Sequence, residues 1–93
     1  MKNYEAMVIL EATAPDADTE ILVKSFEADL VTGGGTIVSR EIQGKRVLSY
    51  QIKGQREGIY TVLNFQAPSE AVTKLEKKFR TTPQVLRFLL LEN

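Results

Sequence analysis

The chain has no cysteine and no histidine among its 93 residues. Without cysteine, no disulfide can staple the fold and no thiolate can act as a nucleophile. Without either residue, the commonest ligands of zinc, haem and iron–sulfur centres are gone. The acids do not form the DxDxDG pattern of a calcium-binding loop. No metal and no cofactor is expected. Long apolar runs are missing as well, and nothing approaches the roughly 18 residues of a membrane helix. The opening "MKNYEAMVILEATAP" carries one lysine, and Glu5 and Glu11 break its apolar run. It makes a poor signal peptide and a good first strand. These features predict a cytosolic protein with no membrane partner.

An excess of either charge is missing too, but only in the sum. Residues 1–43 carry Lys2, Lys24 and Arg40 against eight acids, a net charge of −5. Residues 44–93 carry nine bases against Glu57, Glu70, Glu76 and Glu92, a net charge of +5. Such a split points to an anionic partner for the second half, although a solvated surface of mixed sign would look the same. The length fits one domain, residues 1–93, with a modest core.

Residues 2–11 read as a strand, with Tyr4, Ala6, Val8 and Leu10 on one side and Glu5, Met7, Ile9 and Glu11 on the other. Apolar residues on both faces predict a central position in a sheet. Pro15, Asp16, Asp18 and Thr19 carry helix-start signals. Leu22, Phe26 and Leu30, with Val23 beside them, then form one apolar stripe, and Glu20–Lys24 suits an outward i,i+4 pair. Gly33–Gly35 read as the turn that ends this helix. A phosphate loop would instead lead into a helix and carry Lys followed by Ser or Thr.

Residues 36–52 are extended, with Gly44 as a bulge or bend and alternation resuming at Leu48, Tyr50 and Ile52. That alternation predicts a core position for Tyr50. "KGQREG" reads as a connection with Gly54 and Gly58 as turn residues. Residues 59–67 form a third strand whose helix-covered face carries Ile59, Leu63 and Phe65. Pro68 opens a second helix at its first-turn position, with Val72, Leu75 and Phe79 as its stripe. Residues 84–92 form the last strand, interrupted by Arg87. Right-handed crossovers turn the βαββαβ order into an α+β, ferredoxin-like sandwich: a four-stranded antiparallel sheet with two helices on one face. Strands one and three are then central, and strands two and four are edges.

Four cations surround strand two: Lys45, Arg46, Lys53 and Arg56. Charges and a bulge on an edge strand discourage edge-to-edge aggregation. The same features, with Glu41, also suit a docking edge for one complementary partner. Physics alone leaves both readings open.

The stretch "GKRVLSYQIK", through Gly44, Arg46, Leu48, Tyr50 and Ile52, together with Gly58, Tyr60, the opening Lys2-x-Tyr4-Glu5, Pro68 and Arg87, resembles the bacterial small-subunit ribosomal protein six family. The resemblance spans nearly the whole chain. It implies a structural component of the small ribosomal subunit rather than a catalyst. It also implies binding to the platform region of small-subunit ribosomal RNA together with small-subunit ribosomal protein eighteen. Carried over by position, Arg46 with neighbouring Lys45 would lie on the partner-protein edge, to which the charge pattern of strand two adds Glu41. Lys2 and Arg87 would be phosphate contacts, with Tyr4 bordering the same surface. The implied state outside the ribosome is a monomer. Asn3 departs from a second base found in many members. The end at Asn93 leaves little or none of their C-terminal tail.

Rival readings differ in class. An acylphosphatase-like hydrolase needs a glycine-rich anion loop after strand one, where this chain has the acidic "EATAPDAD". A small-ligand or dimeric regulatory module of the same fold would be betrayed by self-association. A base-stacking RNA sheet needs aromatics where Met7, Ile9 and Val62 stand beside Tyr60. On helix two, Lys74, Lys77, Lys78 and Arg80 form a second cationic candidate, partly offset by Glu70–Lys74 and Glu76–Arg80 pairing.

Overall fold

The structure is a computed structural model. It describes residues 1–12 and 16–93. Six elements follow in the expected order: β1 (Lys2–Glu11), α1 (Asp16–Thr32), β2 (Thr36–Ile52), β3 (Gln55–Ala67), α2 (Ser69–Thr81) and β4 (Val85–Glu92). The strands form one sheet in the order β2-β3-β1-β4. Every neighbouring pair is antiparallel. The split βαβ sandwich is therefore the fold, with β1 and β3 central.

Period-two alternation decides the core. Tyr4, Ala6, Val8 and Leu10 of β1 are buried, as are Ile59, Leu63, Phe65 and Ala67 of β3. Val23, Phe26 and Leu30 of α1 pack into the same cluster with Ala71, Leu75 and Phe79 of α2. Phe79 joins the layers, edge-on to Phe26 at 4.9 Å between centroids and tilted against Phe88 at 5.1 Å. Burying each such side chain stabilises the fold by about 1.5–3 kcal/mol. The α2 stripe is turned slightly from expectation, with Ala71 buried and Val72 only partly so.

The ends of the helices follow from local chemistry. The α1 end has the Schellman pattern: Gly35 N–H donates to Leu30 O at 2.8 Å and Gly34 N–H to Val31 O at 3.0 Å. Pro68 is the N-cap of α2, one position before the first-turn site expected of it. Thr82 closes that helix. Pro15 and the side chain of Asp16 lie outside the described residues. The expected Glu20–Lys24 pair is replaced by a longer-range one: Arg40 on β2 reaches Glu20 at 3.6 Å and Glu27 at 3.4 Å.

The β2–β3 connection is tighter than "KGQREG" led us to expect. Lys53 and Gly54 alone make the turn, at φ 51° and 79°. Two consecutive left-handed residues are the signature of a type I′ hairpin. Gly58 is not a turn residue but a strand residue paired with Glu11 and Arg46. The hairpin runs past the end of β1 and reaches the opposite edge of the sheet. Lys53 Nζ donates to Val85 O at 3.1 Å, and the Arg87 guanidinium donates to the Tyr50 hydroxyl. Three strand spacings, roughly 14 Å, separate β2 from β4, so the hairpin curls across the end of β1 to make these contacts. Tyr50 is accordingly 59% exposed rather than in the core. Its alternation partner Leu48 is the residue that is buried.

Among the described residues, Thr61 carries the one buried side-chain oxygen with no hydrogen-bond partner. A buried hydroxyl without a partner costs about 1–3 kcal/mol. Thr61→Val keeps the shape and removes the hydroxyl. It should raise the denaturant midpoint, with a gain of about 1 kcal/mol, read by urea unfolding followed by circular dichroism.

Candidate functional site

The aim of each cation on β2 is set by a bulge. Ile42 pairs with Thr61 and Gly44 with Tyr60, so Gln43 is an extra residue. Gly44 takes φ 99°, a conformation that costs glycine little. The bulge inverts the alternation beyond it. Glu41, opposite Val62, and Arg46, opposite Gly58, therefore share the uncovered face although they stand an odd number of positions, five, apart. Lys45, opposite Ile59, points to the helix side. The expected edge of Glu41, Lys45 and Arg46 lies on one strand but on two faces. Arg46 places its guanidinium over the Tyr60 ring at 5.6 Å, a cation–π contact.

The uncovered face is apolar at its centre. Ile9 stands between Tyr60 on β3 and Arg87 on β4. Met7 stands between Val62 and Leu89. Met7, Leu89 and Leu91 are 37%, 51% and 43% exposed. A shallow hollow of about 120 Å³ is lined by Met7, Ile9, Tyr60, Val62, Arg87 and Leu89 among others. Two arginine–tyrosine pairs, Arg46–Tyr60 and Arg87–Tyr50, frame this surface.

The other expected contacts fare unevenly. Tyr4 is only 9% exposed and its ring stacks on Phe65 at 5.7 Å. It supports the core, because β1 aims even-numbered residues at the helices. Lys2 pairs with Glu92 at 3.1 Å. Lys2 and Arg87 thus stand about five residues apart along β4, roughly 17 Å, and on opposite faces of the sheet. They do not form one cradle. Glu92, hydrogen-bonded to Lys2, holds the Lys2 ammonium above its ordinary pKa of 10.5.

The α2 cations do not act as one group either. Lys78 turns toward α1, donating to Ser25 Oγ at 2.6 Å and to Asp29 Oδ2. Arg80 meets Glu76 at 2.6 Å and lies over Phe88 at 6.0 Å. Lys74 and Lys77 are exposed. Among the described residues no group of His, Cys, Asp and Glu could hold a metal ion. Sequence reasoning missed the placement of Lys53 and Tyr50, which depends on the curl of the hairpin. The Lys-Gly pair before "QREG" was the available signal for it.

A family model described as ribosomal protein S6 matches residues 3–92. The chain belongs to the ribosomal protein S6 family. Small ribosomal subunit protein bS6 of Gloeobacter violaceus is 38% identical over 87 residues, covering 94% of this chain and 91% of that one. The bS6 of Clostridium botulinum strain Hall is 34% identical over 91 residues, covering 98% and 97%. Among solved structures, the 30S ribosomal protein S6 of Thermotoga maritima superposes with a TM-score of 0.93 at 30% identity, covering 99% of this chain and 87% of that one. An amidase of Burkholderia phymatum matches with a TM-score of 0.53 at 13% identity over 27% of its own length, a likeness of fold alone. The S6 family is a family of small-subunit ribosomal proteins, structural and not enzymatic, and its members work in the cytoplasm on the ribosome. The hydrolase reading falls with that assignment.

Two predictions follow from the geometry. A Cβ on Gly58 would collide with Ile9 Cγ2, and Leu10 O would lie 3.4 Å away. Gly58→Ala should therefore destabilise by about 1–3 kcal/mol. Ile9→Ala in the same chain should recover part of that loss, since residues in contact couple; a double-mutant cycle in urea reads both. The Lys2 effect depends on a carboxylate partner. Glu92→Gln should lower the Lys2 pKa toward its ordinary value, seen by NMR titration of the ammonium. Because the folded pKa is the higher one, the pair's contribution is complete below pH 10.5 and is lost as pH rises through the folded value.

Proposed function

We propose that this S6-family chain binds the platform region of small-subunit ribosomal RNA in company with small-subunit ribosomal protein eighteen. The observation that carries the reading is the uncovered sheet face. It has an apolar centre of Met7, Ile9, Val62, Leu89 and Leu91, framed by Arg46 and Arg87. An apolar centre with a charged rim suits a protein partner. The bulged β2 edge, with Glu41 and Arg46 aimed at that face, gives the partner its orientation. Lys45 borders the edge from the helix side. Of the two cations expected at phosphate, Lys2 and Arg87, the one without a carboxylate partner meets the RNA. Arg87 is the better candidate, because Lys2 is engaged by Glu92. Lys and Arg bound to phosphate release counterions and read no sequence.

A chain of zero net charge gains little from long-range attraction to RNA. Binding of the chain alone is therefore weak and salt-sensitive, and a basic partner that shares the RNA raises the affinity of both by linkage. Free of the ribosome the chain is a monomer.

Gel-shift titration of a platform RNA fragment tests this. Affinity should rise at least about ten-fold when protein eighteen is added, a coupling within the usual range. Charge reversal at Lys45→Glu with Arg46→Glu should abolish that gain. Equal RNA affinity with and without the partner would overturn the reading.

A further inference from the structure

Three segments meet at the outer edge of β4, one of them distant in sequence from the other two. They are the β2–β3 turn, the end of α2 and the first residues of β4. Between them lies a hollow of about 240 Å³ lined by Lys53, Arg80, Arg87 and Phe88, with Phe79 and Val85 behind. Lys53 is 27 residues from Arg80, so only the curl of the hairpin brings them together. We infer that this hollow holds a phosphate of the RNA backbone, a deepening that rests on the RNA-binding reading above.

Each cation is oriented and keeps donors to spare. Lys53 spends one of its three ammonium N–H groups on Val85 O. Arg87 donates an N–H of one nitrogen to the Tyr50 hydroxyl and has further N–H groups to spare. Arg80 is steadied over Phe88 and by Glu76. Glu76 is the acid that meets this group, and Arg80 neutralises it. The end of a helix is a poor place for an anion, because its last carbonyls carry partial negative charge. Here two of the carbonyls near that end are capped by hydroxyls. The Thr82 hydroxyl donates to Lys78 O at 2.6 Å, and the Thr81 hydroxyl to Lys77 O at 3.0 Å. Cations ordered before binding lose less freedom when they meet phosphate. Half-buried Phe88 gives the hollow an apolar wall against which a sugar or base can rest.

The test uses the full chain with protein eighteen and the platform RNA. A triple variant, Lys53→Gln with Arg80→Gln and Arg87→Gln, should weaken RNA binding about ten-fold or more. It should also make the slope of log affinity against log salt shallower by about 1 to 2. A control of equal charge loss, Lys24→Gln with Lys74→Gln and Lys77→Gln, should leave the slope unchanged. The charge-preserving variant Lys53→Arg with Arg80→Lys and Arg87→Lys should keep most of the slope, which separates lost contacts from lost folding. An unchanged slope in the first variant, in a complex that still forms, overturns the phosphate site and leaves the proposed function standing. NMR titration with inorganic phosphate alone supplies the second arm. If phosphate shifts these residues while the RNA slope does not move, the hollow is a free-anion site and the RNA assignment fails. If no RNA binds with or without the partner, the proposed function itself has failed.

Discussion

A two-layer sandwich covers one face of its sheet and leaves the other bare, and strict alternation along each strand decides which residues go where. Even-numbered residues of β1 and odd-numbered residues of β3 fill the space beneath the helices. Their neighbours are committed to the bare face with equal force. A one-residue slip in any strand would exchange the two sets. The bulge at Gln43–Gly44 is such a slip, following an earlier one between Ile37 and Ser39. Together the two slips let β2 offer Ile37, Arg40 and Ile42 to the helix side and then Arg46 to the bare face.

The charge split in the sequence acquires a physical meaning on this frame. Several acids of α1 are satisfied by cations from other elements: Glu20 and Glu27 by Arg40, and Asp29 by Lys78. Exposed pairs of this kind are worth at most about 1 kcal/mol each. Their larger effect is spatial. They draw Lys78 and Arg40 into the body of the molecule. Lys45, Arg46, Lys53, Arg56 and Arg87 are left around the hairpin, the bare face and the first part of β4, and Lys24, Lys74 and Lys77 on the outer faces of the helices.

Element order, strand roles and most of the core were legible in the residues. Leu22, Phe26 and Leu30 fixed the buried side of α1 through helical spacing, and Ile59, Leu63 and Phe65 fixed that of β3 through alternation. Gly44 announced its bulge by interrupting a run that resumed on the far side. What could not be read was anything that depended on the sheet's curvature. Tyr50 alternates with Leu48 and Ile52 as a core residue should, yet the hairpin bearing it leaves the plane of the sheet and carries the ring into solvent. Gly58 looked like a turn residue because glycines crowd its neighbourhood. Its cause is a steric one, the Ile9 side chain across the strand pair. Lys2 and Arg87 were expected at one RNA surface, but the register of β1 against β4 and the alternation of faces part them in space.

The hairpin's clasp on the far edge has a dynamic consequence. Lys53 to Val85 and Arg87 to Tyr50 close loops of 32 and 37 residues, and each is a single polar contact. Leu48 and Leu86, buried nearby, stand outside the main apolar cluster. Unfastening this end would expose those two leucines while the layer between sheet and helices stayed intact. The cheapest sub-global opening of the molecule therefore lies at the hairpin tip rather than at a helix. Whatever settles against the start of β4 would damp that motion and stiffen both margins of the sheet together.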